Sequence, residues 1–380
     1  MITKLRIKNF KLHADTELEL KNLNILTGLN GSGKSSVIQS LLLLRQSDEN
    51  NVLSDGLQLN KPYCSVGVFK DALYQYAEND EIDFIIDSEE YGNQNWKFKP
   101  SDKNYYKNFI PLVGKASEKL KELSLFNSNF QYLSAARLSP QESYPLDSYA
   151  VESKRELSII KGQGELVVHF LYYYGVEKKE RIKDVYLKHR PLDSEYLIDQ
   201  TTAWEREISP DVNVQPEQVG KSFALNYTFN RKNDFATTES FSAENVGFGL
   251  SYALPIIVAM LSSEKNSLLL IENPEAHLHP KGQHKLAELI ALAAQSGVQL
   301  IIETHSEHII NGILVACKKF EDGKKGISRD LVRIYQFKRD SEKHCAVTQQ
   351  IKILKGGKVD KQPEDFFDQT DKDLNFLLGF

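Results

Sequence analysis

The chain has 380 residues, more than one hydrophobic core usually serves, so two or three lobes are expected. Apolar residues make up 41% and charged residues 26%, which excludes a disordered tail protein. Lys and Arg number 47 and Asp and Glu 52, a net charge of −5. That balance excludes a whole-surface electrostatic nucleic-acid binder but leaves room for a local basic groove. Cys64, Cys317 and Cys345 are far apart and form no CxxC pair, so neither a disulfide framework nor a cysteine-based zinc site is expected. The opening MITKLRIKNF alternates charged and apolar residues, unlike a signal peptide. The apolar run from Ala253 to Leu261 is interrupted by Pro255 and is too short to cross a bilayer. A soluble cytoplasmic protein without a membrane partner is expected.

In chain order, residues 1–27 read as three strands. Leu5, Ile7 and Phe10 mark the first, Leu18 and Leu20 the second, and Leu23 to Thr27 a short apolar third that runs into glycine. GLNGSGKSS follows, and then the helical run VIQSLLLLRQS; together they close an N-terminal lobe at 1–49. Residues 50–130 are rich in Tyr, Asn, Asp and Lys, broken by strand-like pieces such as IDFIID, and read as an insertion. Strand-like FQYLSAAR and a proline-marked loop form a return to the core at 131–150. An amphipathic stretch from Glu165 to Val176 and the lysine-rich KKERIKDVYLKHR make 151–220 a second, helical insertion. A C-terminal lobe, 221–320, holds the strand FALNYTF, a Gly-rich turn into a helix, the apolar strand SLLLI, a helix near 280–296, the strand VQLIIET and another helix. Apolar strands that each follow a helix imply a buried parallel sheet. Residues 321–380 add two strands and an acidic amphipathic helix.

Gly28-x-x-x-x-Gly33-Lys34-Ser35 has the spacing of a phosphate-binding loop between an apolar strand and a helix. Glycines allow φ > 0 and leave backbone N–H groups bare, so that they converge on phosphate oxygens. The helix N-terminus adds favourable dipole charge. The predicted nucleotide contacts are Asn30, Gly31, Ser32, Gly33, Lys34, Ser35 and Ser36. Lys34 reaches the β/γ-phosphates, and the Ser35 hydroxyl ligates Mg²⁺. The strand ending in Glu272-Asn273-Pro274-Glu275 supplies a carboxylate, Glu272, for the metal and its waters. The next strand ends in Thr304-His305-Ser306. Residues just past the carboxyl ends of strands line the ligand crevice of an open α/β sheet, so His305 is expected at the γ-phosphate.

Other residues carry two readings each. Glu275, His277 and His279 have the look of a zinc cluster, but the sequence offers no evident further ligand. Arg137 suits a phosphate or partner contact and equally a surface ion pair. The basic stretches at 178–190 and 318–343 are mixed with acids and read as solvated faces, and the aromatics at 104–110 and 171–174 read as packing rather than base stacking.

The order of phosphate loop, late Gly-rich turn, LLLIENPEAHLHP and IIETHS resembles the ABC-type ATPase heads of the RecF, SMC and OLD-nuclease group. More narrowly it resembles bacterial ATPases that end in a short domain of unknown function. YLSAAR, GQGELVVHF and PEDFFDQTDKDLNFLL share that resemblance. It implies an α/β P-loop NTPase head: a mixed β N-terminal part, a parallel core sheet flanked by helices, and helical or mixed insertions. It also implies ATP and Mg²⁺ held between two subunits of a homodimer, with a signature turn from the opposite subunit capping the γ-phosphate.

Asn245-Val-Gly247-Phe-Gly-Leu-Ser251 stands where the usual signature is LSGGQ. Asn245 falls at the signature serine and Gly247 at a signature glycine; an amide and bare N–H groups still donate to phosphate. The competing reading is a cap and glycine turn starting a helix that packs through Leu254, Ile257 and Val258. A metal-sensing glutamine is implied too, either Gln131 or Gln141. Relatives carry a carboxylate where this chain has Asn273, and an amide orients water without accepting its proton. The catalytic set is therefore Lys34, Glu272, Asn273 and His305, and the ATPase is expected to be slow. The resemblance points to DNA-linked work, often anti-phage defence, with a separately encoded effector and with nucleic acid as a possible partner. A nucleotide-locked scaffold with little turnover is the alternative; a transporter ATPase and a small-molecule kinase fit less well.

Overall fold

The computed structural model describes residues 1–101, 105–114, 120–190, 192–231, 236–360 and 369–378. The chain opens with β1 (Ile2–Phe10), β2 (His13–Glu19), β3 (Leu23–Gly28) and α1 (Lys34–Glu49). β4 (Gly56–Gln58), the single turn α2 (Phe69–Ala72), β5 (Ile82–Ser88), β6 (Gly92–Phe98), β7 (Phe109–Val113) and β8 (Phe130–Leu133) follow. Next come α3 (Val167–Phe170), which continues to Glu177 in wider π turns, and α4 (Leu197–Ile208). β9 (Val212–Val219), β10 (Ser222–Phe229), β11 (Phe241–Ser242) and α5 (Phe248–Ser262) lead to β12 (Leu268–Glu272), α6 (Pro280–Gln295), β13 (Gln299–Glu303) and α7 (Glu307–Glu321). β14 (Val332–Arg339), β15 (Ala346–Ile351) and α8 (Gln369–Leu378) complete the chain.

The central sheet runs β15-β14-β3-β13-β12-β8, parallel throughout except for β15. Its strands read as continuous apolar runs because both faces are covered. Leu23, Ile25, Leu269, Ile271, Leu300 and Ile302 face a core built with α5, α6 and α7. Leu26, Leu268, Leu270 and Ile301 face a second core, which α1 fills with Val37, Ile38, Leu41 and Leu42. The far wall of that second core is an antiparallel sheet, β2-β1-β5-β6-β7-β4, contributing Leu5, Ile7, Phe84 and Ile86. The phosphate-loop helix is thus clamped between two sheets. α5 has no polar side; Leu250, Ala253, Leu254 and every residue from Pro255 to Leu261 are buried, so it sits inside the molecule despite its internal proline.

Two sequence boundaries need correction. Residues 50–130 do not stand apart as an insertion, because β5 pairs with β1 from Ile2–Ser88 to Lys8–Asp83 and makes β1 through β7 (β3 excepted) one sheet. Alternation in IDFIID buries Ile82, Phe84 and Ile86 on the face shared with Leu5 and Ile7. The boundary at 220 cuts a hairpin: β9 and β10 pair along eight positions around Gly220, and Pro216 is tolerated because β9 is the edge strand. The helical part of 151–220 likewise belongs to the main core, through Val168, Phe170, Leu171 and Trp204. The acidic tail helix is present from Gln369, with Leu374, Phe376, Leu377 and Leu378 exposed; residues 361–368 and 379–380 of that expected segment lie outside the described residues. No helix among the described residues is long and apolar enough to cross a membrane. Cys64, Cys317 and Cys345 are free thiols.

Candidate functional site

β3 delivers the phosphate loop to the carboxyl edge of the central sheet. Gly28 has φ +130°, and a Cβ there would lie 2.2 Å from the Phe337 carbonyl oxygen of β14, so no other residue fits. Gly33 has φ +105° and is the residue before α1, a helix with neither a capping side chain nor an acidic residue in its first turn. Its leading N–H groups therefore favour an anion. Asn30 and Gly31 are exposed on the loop, whereas Ser32 and Ser36 are buried. The Lys34 side chain is 3% exposed; its Nζ donates to the carbonyls of Gly28 at 2.9 Å and Leu29 at 2.8 Å. Burial lowers its pKa, opposed by the Glu303 carboxylate. The loop is anchored from below by His13, whose Nε2 lies 3.0 Å from the Gly33 carbonyl and whose Nδ1 lies 2.9 Å from the Thr16 hydroxyl. A cavity of about 320 Å³ opens beside the loop, between Gly28–Ser32 and Gln336–Arg339.

The neighbouring strands bring carboxylates to the same edge. Glu272 ends β12 directly opposite Glu303, which ends β13. Glu272 accepts from the Tyr132 hydroxyl at 3.3 Å and from the Ala135 N–H at 3.2 Å; burial raises its pKa against these bonds. Glu303 accepts the Ser35 hydroxyl at 3.0 Å and stands 3.9 Å from Lys34 Nζ, while its Oε2 is buried without a hydrogen-bond partner among the described residues. Burial, and then repulsion by Glu272, push its carboxyl up to about 7. Asn273 has φ +44°, and its N–H donates to the Glu303 carbonyl at 2.8 Å. Glu275 accepts from the Thr304 hydroxyl at 2.8 Å and the His305 N–H at 2.9 Å, tethering the histidine loop to the acidic turn. The exposed His305 has its pKa lowered by burial and then by Lys34, against the Glu275 carboxylate and the Gly28 carbonyl. Lys34, Ser35, Glu272 and His305 are therefore brought together, as the strand-end pattern predicts.

Arg137 is neither a phosphate contact nor a surface ion pair. It is buried, and its guanidinium donates to the carbonyls of Ser134, Glu272 and Asn273, each at 2.7 Å, and of Tyr252 at 3.2 Å. Burial lowers its pKa to about 10, so it stays charged at neutral pH. Neither glutamine reaches the site. Gln131 donates to the Arg155 carbonyl and accepts from the Leu157 N–H, and Gln141 binds Ser139 and Pro140. The zinc reading fails as well: His277 packs against Tyr252 and Phe248, His279 caps α6, and the described residues contain no cluster of three or more His, Cys, Asp or Glu side chains placed to hold a metal.

Asn245 and Gly247 lie elsewhere, on the turn before α5, where Asn245 donates to the Ser242 hydroxyl at 2.9 Å. They line a separate cavity of about 380 Å³ with His277 and His279. Phe241 and Phe248 beside it are 40% and 52% exposed. Sequence reasoning passes over Glu303 although it ends a strand as Glu272 does; the same rule would find it. His13 and the Arg137 clamp leave no local signal, because their partners are tertiary.

Residues 23–311 match the family described as "AAA domain, putative AbiEii toxin, Type IV TA system", and residues 327–377 match "Protein of unknown function (DUF3696)". The chain is 24% identical over 374 residues to the Old nuclease of Escherichia phage P2, covering 87% of this chain and 62% of that one. Over 77 residues it is 34% identical to the DNA double-strand break repair Rad50 ATPase of Archaeoglobus fulgidus, covering 18% and 9% of the two chains. Over 75 residues it is 37% identical to the DNA replication and repair protein RecF of Acholeplasma laidlawii, covering 19% and 22%. The chain thus spans less than two thirds of each of these relatives. The Smc head bound to the C-winged helix domain of ScpA superposes over 93% of this chain and 98% of that one, with a TM-score of 0.53 at 12% identity. An Smc head with an extended coiled coil, bound to the C-terminal domain of ScpA derived from Pyrococcus furiosus, covers 100% and 98% with a TM-score of 0.50 at 12% identity. Since the first family match takes in most of the chain, the chain belongs to that AAA-domain family, and its architecture is that of the ABC-type ATPase heads of the RecF, SMC and OLD group.

Proposed function

We propose that the chain binds ATP·Mg²⁺ at the phosphate loop, hydrolyses it slowly, and uses it to close a homodimer that acts as a conformational switch. The observation that carries this reading is the meeting of Lys34, Ser35, Glu272 and His305 at the carboxyl ends of three adjacent parallel strands. Gly31–Ser36 and the uncapped start of α1 wrap the phosphates, with Asn30 at the mouth of the loop. Lys34 leaves the carbonyls of Gly28 and Leu29 for the β/γ-oxygens. Ser35 and Glu272 would hold the metal, which when bound would neutralise charge on the phosphates; a Mg²⁺ that keeps several waters needs only one or two protein oxygens. The buried, unpartnered Glu303 Oε2 fits a cation at this position. His305, tethered by Glu275, faces the γ-phosphate.

Asn273 orients water but takes no proton, hence slow turnover. Asn245 and Gly247 cap the partner's nucleotide, and the exposed Phe241 and Phe248 beside them suit a surface that closure covers. Turnover in the tens per second would contradict the slow-switch reading. ATP-bound dimers with no turnover at all would favour a nucleotide-locked scaffold.

Nucleic acid is the favoured polyanionic partner, as the names of the Rad50 and RecF relatives suggest. The two basic stretches meet around one cavity of about 520 Å³ lined by Lys188, Arg190, Lys285, Lys319, Lys324 and Lys325. Lys285 and Lys319 are paired with Glu207 and Glu288, while Lys188, Arg190 and Lys324 have no carboxylate within ion-pair distance among the described residues. DNA binding that weakens steeply with salt and is lost on Arg190→Ala with Lys324→Ala would support this role; salt-independent binding, or none, would oppose it. The setting we assign is DNA-linked or anti-phage defence with a separate effector chain, tested by whether a neighbouring gene product co-purifies with the ATP-bound form.

A further inference from the structure

The two carboxylates that face each other across β12 and β13 are placed differently. Both oxygens of Glu272 accept hydrogen bonds, from the Tyr132 hydroxyl and the Ala135 N–H. Glu303 instead has one oxygen on the hydroxyl of Ser35, the second residue of the loop helix, and the other buried with no hydrogen-bond partner among the described residues. Among the described residues its one cationic neighbour within ion-pair distance is Lys34, at 3.9 Å. A buried carboxylate oxygen without a donor is costly unless something positive meets it. Lys34 carries one positive charge, so without a further cation a triphosphate here would face two carboxylates with a single ammonium between them. Magnesium takes hard oxygen ligands, often one or two carboxylates together with substrate phosphates.

We infer that Glu303 is a second metal-serving carboxylate of this site, holding the Mg²⁺ that accompanies the nucleotide together with Ser35. The inference rests on the ATP·Mg²⁺ reading above. It makes nucleotide affinity depend on the metal through Glu303: with the cation present the carboxylate attracts the complex, and without it the same charge repels the phosphates.

The test is titration of a fluorescent ATP analogue in Mg²⁺ and in excess EDTA, with wild type, Glu303→Gln and Lys34→Ala. Gln keeps the shape and removes the charge. Wild type binds more tightly with Mg²⁺, and in Glu303→Gln the EDTA-to-Mg²⁺ ratio of Kd falls about tenfold or more, partly because metal-free binding tightens. A merely structural role would weaken both arms alike. An unchanged ratio in a folded Glu303→Gln protein, with wild type still binding, overturns the Glu303 role alone. Wild type that binds no better than Lys34→Ala in either arm overturns the nucleotide reading and this inference with it. Should Glu303→Gln fail to fold, Glu303→Asp draws the carboxylate back by one methylene; the ratio falls there too, and an unchanged ratio contradicts the inference.

Discussion

His13 shows how a single side chain sets the phosphate loop. The imidazole is fully buried between the Thr16 hydroxyl and the Gly33 carbonyl, so it is held neutral, donating from Nε2 and accepting at Nδ1. Burial moves its pKa from 6.5 down to about 4. The unfolded chain therefore takes up a proton that the folded chain refuses, and stability present above pH 6.5 is lost as pH falls toward 4. This one group contributes on the order of 3 kcal/mol to that slope. Denaturant unfolding of His13→Gln between pH 4 and 7 should give a shallower pH dependence than wild type; parallel curves would contradict the account. At Gly28, Ala is expected to displace the loop from β14, abolish ATP binding and cost about 2–4 kcal/mol, because both the positive φ and the 2.2 Å contact forbid a methyl group. Near-normal ATP affinity in Gly28→Ala would count against the loop as the nucleotide site. Lys34 is legible in the sequence from the glycine spacing of its loop, and Glu272 and His305 because each ends or follows an apolar strand; His13 is not, since what defines it is a partner twenty residues away.

Among the elements, the link between β8, α5 and β12 depends on Arg137. Its planar fork satisfies carbonyls from the β8 loop, from α5 and from the end of β12, and so fixes the acidic turn that carries Glu272 and Asn273. Arg137→Lys keeps the charge but cannot make the fork. A loss of about 2–4 kcal/mol in unfolding free energy is expected, together with weaker ATP binding. A change under about 0.5 kcal/mol would show that the carbonyls find other donors. Strands β3, β12 and β13 and helices α1, α6 and α7 are legible from apolar runs, glycine and caps. The antiparallel wall is not: β5 alternates clearly, but nothing local says that it pairs with β1 some eighty residues earlier. β9 is masked by Pro216 and its polar outward face.

In the whole molecule, the two halves of the proposed chemistry sit apart. The phosphate loop with its carboxylates lies at the carboxyl edge of the central sheet, whereas Asn245 and Gly247 line a different cavity on the turn into α5. On the proposed reading one chain does not complete the site, and two chains related by a twofold axis would complete two. The sequence carries this division in the order of its motifs, but the separation of the two cavities is a property of the fold. The most direct measurement is the molar mass in solution, by light scattering, with and without ATP·Mg²⁺, for wild type, Lys34→Ala and Asn245→Ala. A monomer that becomes a dimer with nucleotide, and a shift erased by either substitution, is the predicted result. A mass that ignores nucleotide, or an Asn245→Ala protein that dimerises as wild type does, would contradict the account.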